Sequence, residues 1–162
     1  MRTRVLSALA IAALLAFAAS GQESKTRSTT VMPSKYDPAR DASKDINDAV
    51  AEAKRTNKRV LLDVGGEWCV WCHRMDSFIE QNADLAKILE THYVVVKINV
   101  DPKNRNEALL SHYPNIPGYP HLLVLDKSGK LLRSQDTSEL ESGKSYDLGR
   151  FKSFLQKWAP TP

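Results

Sequence analysis

Residues 60–73 read V-L-L-D-V-G-G-E-W-C-V-W-C-H, and this stretch limits the possible folds more than any other part of the chain. An apolar run, short enough to be a buried strand, ends in two glycines. A helix-compatible segment then begins around Cys69 and Cys72, the only two cysteines among 162 residues. A strand that hands over to a helix at C-x-x-C brings both sulfurs within bonding reach across one turn. The first thiol sits at the helix N-terminus, where unpaired backbone N–H groups and the helix dipole favour a thiolate. Such thiols titrate at roughly 3.5–7.5 instead of about 8.5, so Cys69 is expected to be substantially ionised near neutral pH. Cys72, one turn further in, is expected to be buried and less reactive. An exposed attacking sulfur, backed by a second that resolves the mixed disulfide, is what dithiol–disulfide exchange requires.

The N-terminal twenty residues form a separate unit. Arg2 and Arg4 precede an apolar, Ala/Leu-rich run over residues 5–17, and Ala18, Ala19 and Ser20 supply small residues for cleavage before Gly21. Residues 1–20 therefore read as a secretory signal peptide. The apolar run is shorter than the ~20 residues of a spanning helix, so no stable membrane insertion is expected. No cysteine stands near the cleavage site, so an N-terminal lipid anchor is not expected either. Cleavage removes two arginines and no acid, lowering the formal charge from +4 to +2. Nothing in that balance points to nucleic acid or an anionic membrane as partner. Export places the cysteines where disulfides persist, yet a bond closing two intervening residues constrains an unfolded chain very little. The pair reads as chemical more than structural.

Residues 21–42 are polar and interrupted by Pro33 and Pro38, which predicts a flexible lead-in with at most a short extended piece near residues 30–32. A folded domain is expected over residues 43–160. Ser43 or Asp45 would cap a helix with Ile46, Ala49, Val50 and Ala53 on one face, ending near Asn57. Residues 60–64 form a buried strand. Met75, Phe78 and Ile79 face inward from the helix that follows, and Asn82 caps a second piece carrying Leu85, Ile88 and Leu89. The β-branched run 93–100 reads as a central strand covered on both faces. Residues 104–113 predict a short helix stopped by Pro114. Residues 121–125 and 130–134 predict a hairpin around Asp126 and Gly129, residues 136–146 a solvated loop, and Leu148, Phe151, Phe154, Leu155 and Trp158 a last amphipathic helix. This alternation gives an α/β chain with a mixed sheet and helices on both faces.

Two charges fall where strands should be buried. Asp63 shares a face with Leu61, and Lys97 shares one with Val95 and Asn99. Each needs a partner or a shifted pKa, and the simplest arrangement pairs them. A desolvated Asp63 at the strand end nearest the cysteines could take the proton from Cys72, through a water, as that sulfur attacks the mixed disulfide.

With these residues in view, the chain resembles the thioredoxin superfamily over about residues 45–158, especially secreted members with a W-C-x-W-C centre. D-V-G-G-E-W-C-V-W-C is similar to the family's D-x-x-A-E-W-C-G-P-C, K-I-N-V-D at 97–101 to its K-x-N-x-D, and G-Y-P-H-L-L-V-L-D-K-S-G-K to its G-I-P-T-L hairpin entry. The resemblance implies a thioredoxin fold with about four strands in the central mixed sheet. It also implies Cys69 as nucleophile, Cys72 as resolving thiol, the two forming the redox disulfide, with Asp63 as buried proton acceptor and Lys97 as its partner. Pro120 would be cis and face the disulfide, and Trp68, Tyr119 and Pro120 would form the surface that holds an extended client strand. No cofactor beyond the cysteines and no metal is implied. The implied protein is a monomeric oxidoreductase of the bacterial periplasm, acting on protein disulfides and served by an upstream redox partner. Nearness to the reductant members favours a reductase. Val70 and Trp71 between the cysteines, and His73 after them, depart from the family pattern, so its redox potential does not carry over.

Three other readings compete. C-V-W-C-H is also an attachment motif for c-type haem, with His73 as axial ligand. Zinc would have only two thiolates, since His92, His112 and His121 are scattered, with His121 the one placed to line the groove. A thioredoxin-fold binding or chaperone module would hold clients on Trp68, Tyr119 and Pro120 without turnover.

Overall fold

The structure, a computed structural model, describes residues 33–161. The leader at 1–20 and the extended piece expected near 30–32 lie outside the described residues. Helix α1 (Ala42–Thr56) starts at Asp41, whose carboxylate accepts the Lys44 N–H at 3.0 Å, so the cap lies ahead of both residues expected for it. Asp45 in its first turn and Lys54 and Arg55 in its last complement the helix dipole. Asn57 closes it in the left-handed region at φ 54°, a conformation asparagine tolerates.

Strand β1 (Arg59–Gly65) pairs in parallel with β2 (Tyr93–Asn99) and antiparallel with β3 (His121–Leu125), which pairs with β4 (Leu131–Asp136). Among the described residues the main sheet runs β2-β1-β3-β4. The period-two alternation of β1 sorts the core into two layers. Val60, Leu62 and Val64 pack with Ile46, Ala49 and Ala53 of α1, whereas Leu61 faces Met75, Ile79, Leu85 and Leu89. Those four side chains come from α2 (Val70–Gln81) and α3 (Ala83–His92). The layer is completed by Phe151, Phe154 and Leu155 of the last helix, α5 (Leu148–Lys157).

Four local expectations change. Among the described residues the strand expected at the centre, β2, stands at the edge of the sheet, hydrogen-bonded to β1 alone. Its β-branched residues report cover on its faces by helices, which is independent of whether a second strand lies alongside. The helix expected over 104–113 is reduced to α4 (Glu107–Leu110), because asparagine side chains claim the backbone before it. Asn99 Nδ2 donates to Asn104 O and Asn106 Nδ2 to Asn99 O, and Asn106 itself is left-handed at φ 51°. Asn82 is the N-cap of α3, its carbonyl oxygen accepting the Leu85 and Ala86 N–H groups, but its side chain does not cap: Nδ2 donates backward to Phe78 O at 2.6 Å, closing α2. The solvated loop at 136–146 is folded. A 3-10 turn (Thr137–Leu140) and a small hairpin of β5 (Glu141–Ser142) with β6 (Ser145–Tyr146) bury Thr137, Leu140 and Tyr146.

The lead-in is also more than a tether where it is described. Tyr36 is 1% exposed, its N–H donates to Glu67 Oε1 at 2.6 Å, and Pro38 O accepts from Asn104 Nδ2 at 3.0 Å. Residues 33–41 thus fasten to the two loops at the carboxyl ends of β1 and β2. No helix among the described residues is long and apolar enough to cross a membrane.

Candidate functional site

Strand β1 ends at Gly65, and the turn Gly66, Glu67, Trp68 leads to Cys69, the N-cap of α2. Both glycines are dictated by crowding. A Cβ on Gly65 would lie 2.5 Å from Cys72 Sγ, and one on Gly66 would collide with the Trp68 indole. Cys69 occupies an extended conformation (φ −89°, ψ 103°), and its Sγ accepts the Cys72 N–H at 3.1 Å. Its carbonyl oxygen accepts the N–H of Cys72 and of His73, starting the helix. Cys69 and Cys72 are joined in a disulfide, with Cα atoms 5.2 Å apart. Cys72 is sealed from solvent. Cys69 is only 4% exposed, so in this oxidised state it is not the open sulfur that its position suggested. Trp71, Tyr119 and Tyr36 close around the bonded pair.

The outer face of the site is aromatic. Trp68 is 56% exposed, donates its indole N–H to Val100 O at 2.7 Å, and stands edge-on to Tyr119 with ring centroids 5.8 Å apart. The Tyr119–Pro120 peptide bond is cis, and Pro120 O accepts the Thr137 hydroxyl at 2.6 Å. Beyond Tyr119 a hollow of about 410 Å³ is lined by Val100, Leu110, Tyr113 and Ile116. Of the expected groove residues, Trp68 and Tyr119 therefore meet, Tyr119 packs against the cysteine cluster, and Pro120 follows Tyr119 through the cis bond.

The inner face is ionic. Register places Asp63 opposite Lys97, and Lys97 Nζ lies 3.2 Å from Asp63 Oδ2, both side chains buried. The pairing read from strand faces is present but incomplete. Lys97 makes its shorter bonds, 2.7 and 2.8 Å, to both carboxylate oxygens of Asp76 on α2. Asp63 Oδ1 accepts the Tyr36 hydroxyl at 2.7 Å, and Lys97 Nζ stands 4.0 Å over the Tyr36 ring. Burial pushes the Asp63 carboxyl up, opposed by the Lys97 charge and the Tyr36 hydrogen bond. Burial, with the Asp63 charge beside it, pushes the Tyr36 hydroxyl far above its ordinary range, so it remains protonated.

Sequence reasoning missed Tyr36, Asp76 and Thr137. Asp76 had a usable signal, standing four residues after Cys72 and so on the same helix face. Tyr36 had only its isolation as an aromatic in a polar stretch, and Thr137 had none. His121 does not line the groove: it is buried on β3, its Nε2 2.7 Å from Ser134 Oγ on β4, and burial pushes its pKa down. The haem reading needs two free thiols and a free His73 nitrogen. Here the sulfurs are bonded to each other, and His73 Nε2 donates to Glu67 O at 2.7 Å. Among the described residues no three His, Cys, Asp or Glu side chains group to hold a metal ion.

The Thioredoxin-like family model matches residues 41–127, more than half of the chain, and spans β1, the cysteine pair, Lys97 and Pro120. The chain belongs to the thioredoxin-like family. It is 30% identical to the disulphide isomerase from Xylella fastidiosa Temecula1, covering 75% of this chain and 94% of that one with a TM-score of 0.66. Among curated relatives it is 28% identical over 94 residues to the disulfide bond reductase DsbH of Chlamydia pneumoniae, covering 52% of this chain and 56% of DsbH. It is 29% identical over 86 residues to the thiol:disulfide interchange protein DsbD of Escherichia coli K12, covering 53% of this chain and 15% of DsbD. The chain thus spans about half of DsbH and a small part of DsbD. The four-stranded mixed sheet with helices on both faces is the thioredoxin fold.

Proposed function

We propose that this thioredoxin-like protein is an exported thiol–disulfide oxidoreductase that reduces disulfides of other proteins through Cys69 and Cys72. The observation that carries the reading is Cys69 at the N-cap of α2, its sulfur accepting a backbone N–H and bonded to a sealed Cys72 beside an exposed aromatic face. In the reduced protein, the N–H groups and dipole at that helix end stabilise a Cys69 thiolate. The thiolate attacks a client disulfide, releases one client thiolate and leaves Cys69 joined to the other client sulfur. Cys72 then attacks Cys69 Sγ, closes the Cys69–Cys72 disulfide and releases the second client thiolate. Two electrons pass from the protein to the client, and an upstream redox partner must return them. Asp63 takes the Cys72 proton, and Lys97 holds Asp63 in place. Trp68, Tyr119 and Pro120 receive the client backbone around its cysteine.

The relatives support exchange chemistry and differ in direction, DsbH being named a reductase and the Xylella protein an isomerase. Equilibrating the purified protein with glutathione buffers distinguishes them. A reductase is expected near the about −270 mV of thioredoxin, whereas a value near about −180 mV would mark an isomerase. The leader expected at 1–20, with its basic start, apolar run and small residues before Gly21, supports export. Protease protection of the full chain in spheroplasts, set against intact cells, tests that.

A further inference from the structure

We infer that the Tyr36 hydroxyl, supplied by the segment ahead of the domain, relays the proton between Cys72 and Asp63 during resolution of the mixed disulfide. The inference rests on the exchange reading above and replaces the water expected from sequence with a side chain. Tyr36 Oη and Cys72 Sγ approach one common point, the place a Cβ on Gly65 would occupy, at 3.0 and 2.5 Å. On its other side the hydroxyl donates to Asp63 Oδ1 at 2.7 Å. Tyr36, Cys69 and Cys72 form one buried cluster and Asp63 is sealed from solvent, so the path proposed from sulfur to carboxylate is closed to bulk water. The bare backbone of Gly65 keeps that path open: a side chain there would separate sulfur from phenol.

The phenol meets Asp63 from β1 and Lys97 from β2, and Lys97 in turn holds Asp76 from α2. Lys97 over the ring and the Tyr36 N–H bonded to Glu67 hold the phenol in place. As Cys72 Sγ bonds to Cys69 Sγ, its proton passes to Tyr36 Oη and the phenol's own proton passes to Asp63 Oδ1. The client sulfur leaves as a thiolate. Tyr36 is neutral before and after, Asp63 ends protonated, and the two electrons of the new S–S bond are balanced by the broken one.

The test separates attack from resolution in single turnovers of the reduced full chain with a fluorescent peptide disulfide. Tyr36→Phe keeps the ring over Lys97 and removes only the hydroxyl. Resolution is expected to slow by roughly 10²-fold, the low end of what positioned proton transfer contributes. Attack, measured in a Cys72→Ser background, is expected to be unchanged. Equal slowing of both steps, or no slowing of resolution, overturns the relay. A wild-type chain that forms no mixed disulfide overturns the exchange reading instead, and the relay falls with it. Should Tyr36→Phe fail to fold, resolution by the wild-type chain in H2O–D2O mixtures decides: two protons in flight give a curved dependence on deuterium fraction, and a straight line rejects the relay.

Discussion

The two cysteines are three positions apart, bonded to each other and held in one buried cluster, yet what lies beyond each of them differs. Outside Cys69 lie the half-exposed Trp68, the exposed Val70 and the edge of Tyr119, a surface of apolar groups in contact with water. Behind Cys72 lie Tyr36, Asp63 and Lys97, three polar side chains in a sealed space and bonded to one another. The contrast teaches that reactivity in a C-x-x-C turn is set by what each sulfur backs onto. The open side governs which partner approaches. The closed side governs how tightly the fold tolerates charge, and so where protons can go.

The sharpest way to break the comparison is to exchange the cysteines one at a time for serine. Cys69→Ser is expected to reduce insulin disulfides no faster than background. Cys72→Ser is expected instead to accumulate a mixed disulfide visible on a non-reducing gel. Equivalent behaviour of the two variants would mean that the sulfurs are not distinct.

Next in size is the closed side's dependence on Lys97. Lys97→Met leaves Asp63 and Asp76 without their shared counter-charge. Breaking a buried pair in this way costs about 3–5 kcal/mol, read as a lower urea midpoint at pH 7. Adding Asp63→Asn to Lys97→Met is expected to recover part of that loss.

The pH dependence sharpens the same side. Burial raises the Asp63 carboxyl in the folded protein, so the folded state binds its proton more tightly than the unfolded chain does. That contribution to stability is complete below the ordinary carboxylate pKa of about 4 and is lost as pH rises through the higher folded value. The urea midpoint of the wild type is expected to fall as pH rises across that window, and Asp63→Asn to flatten the slope. An unchanged slope in the variant would remove Asp63 as its source.

Smaller effects mark the rim. Thr137→Val removes the only hydroxyl on Pro120 O found among the described residues and leaves that buried carbonyl short of a donor, at a cost of about 1–3 kcal/mol. Val70→Ala, on the open side, is expected to stay within about 0.5 kcal/mol of wild type in thermal melts. A larger loss there would mean that Val70 packs against something other than solvent.

How much of this was legible in the chain varies by element. The apolar spacing of Ile46, Ala49 and Ala53, the run 60–64 and the faces of α2 and α5 are periodic, and that spacing alone fixes the type of each element. Asp63 and Lys97 were found because a charge on a covered strand is anomalous in the sequence itself. The edge position of β2 was not legible, since lateral pairing leaves no mark on the composition of a strand covered on both faces. Neither was the folded segment 137–146, whose polar sequence hides two buried anchors, Leu140 and Tyr146.

By itself the sequence determined the thioredoxin-like turn: a strand, two glycines without room for side chains, and a cysteine at a helix start, all local consequences of neighbouring residues. Only the tertiary structure decided what stands behind Cys72. Tyr36 lies 27 positions before Asp63, and Asp76 21 positions before Lys97, so their meeting depends on how the lead-in and α2 pack against the sheet. Local pattern encodes periodicity and backbone geometry, whereas a buried ionic cluster assembled from four separate segments exists only once the chain has closed around it.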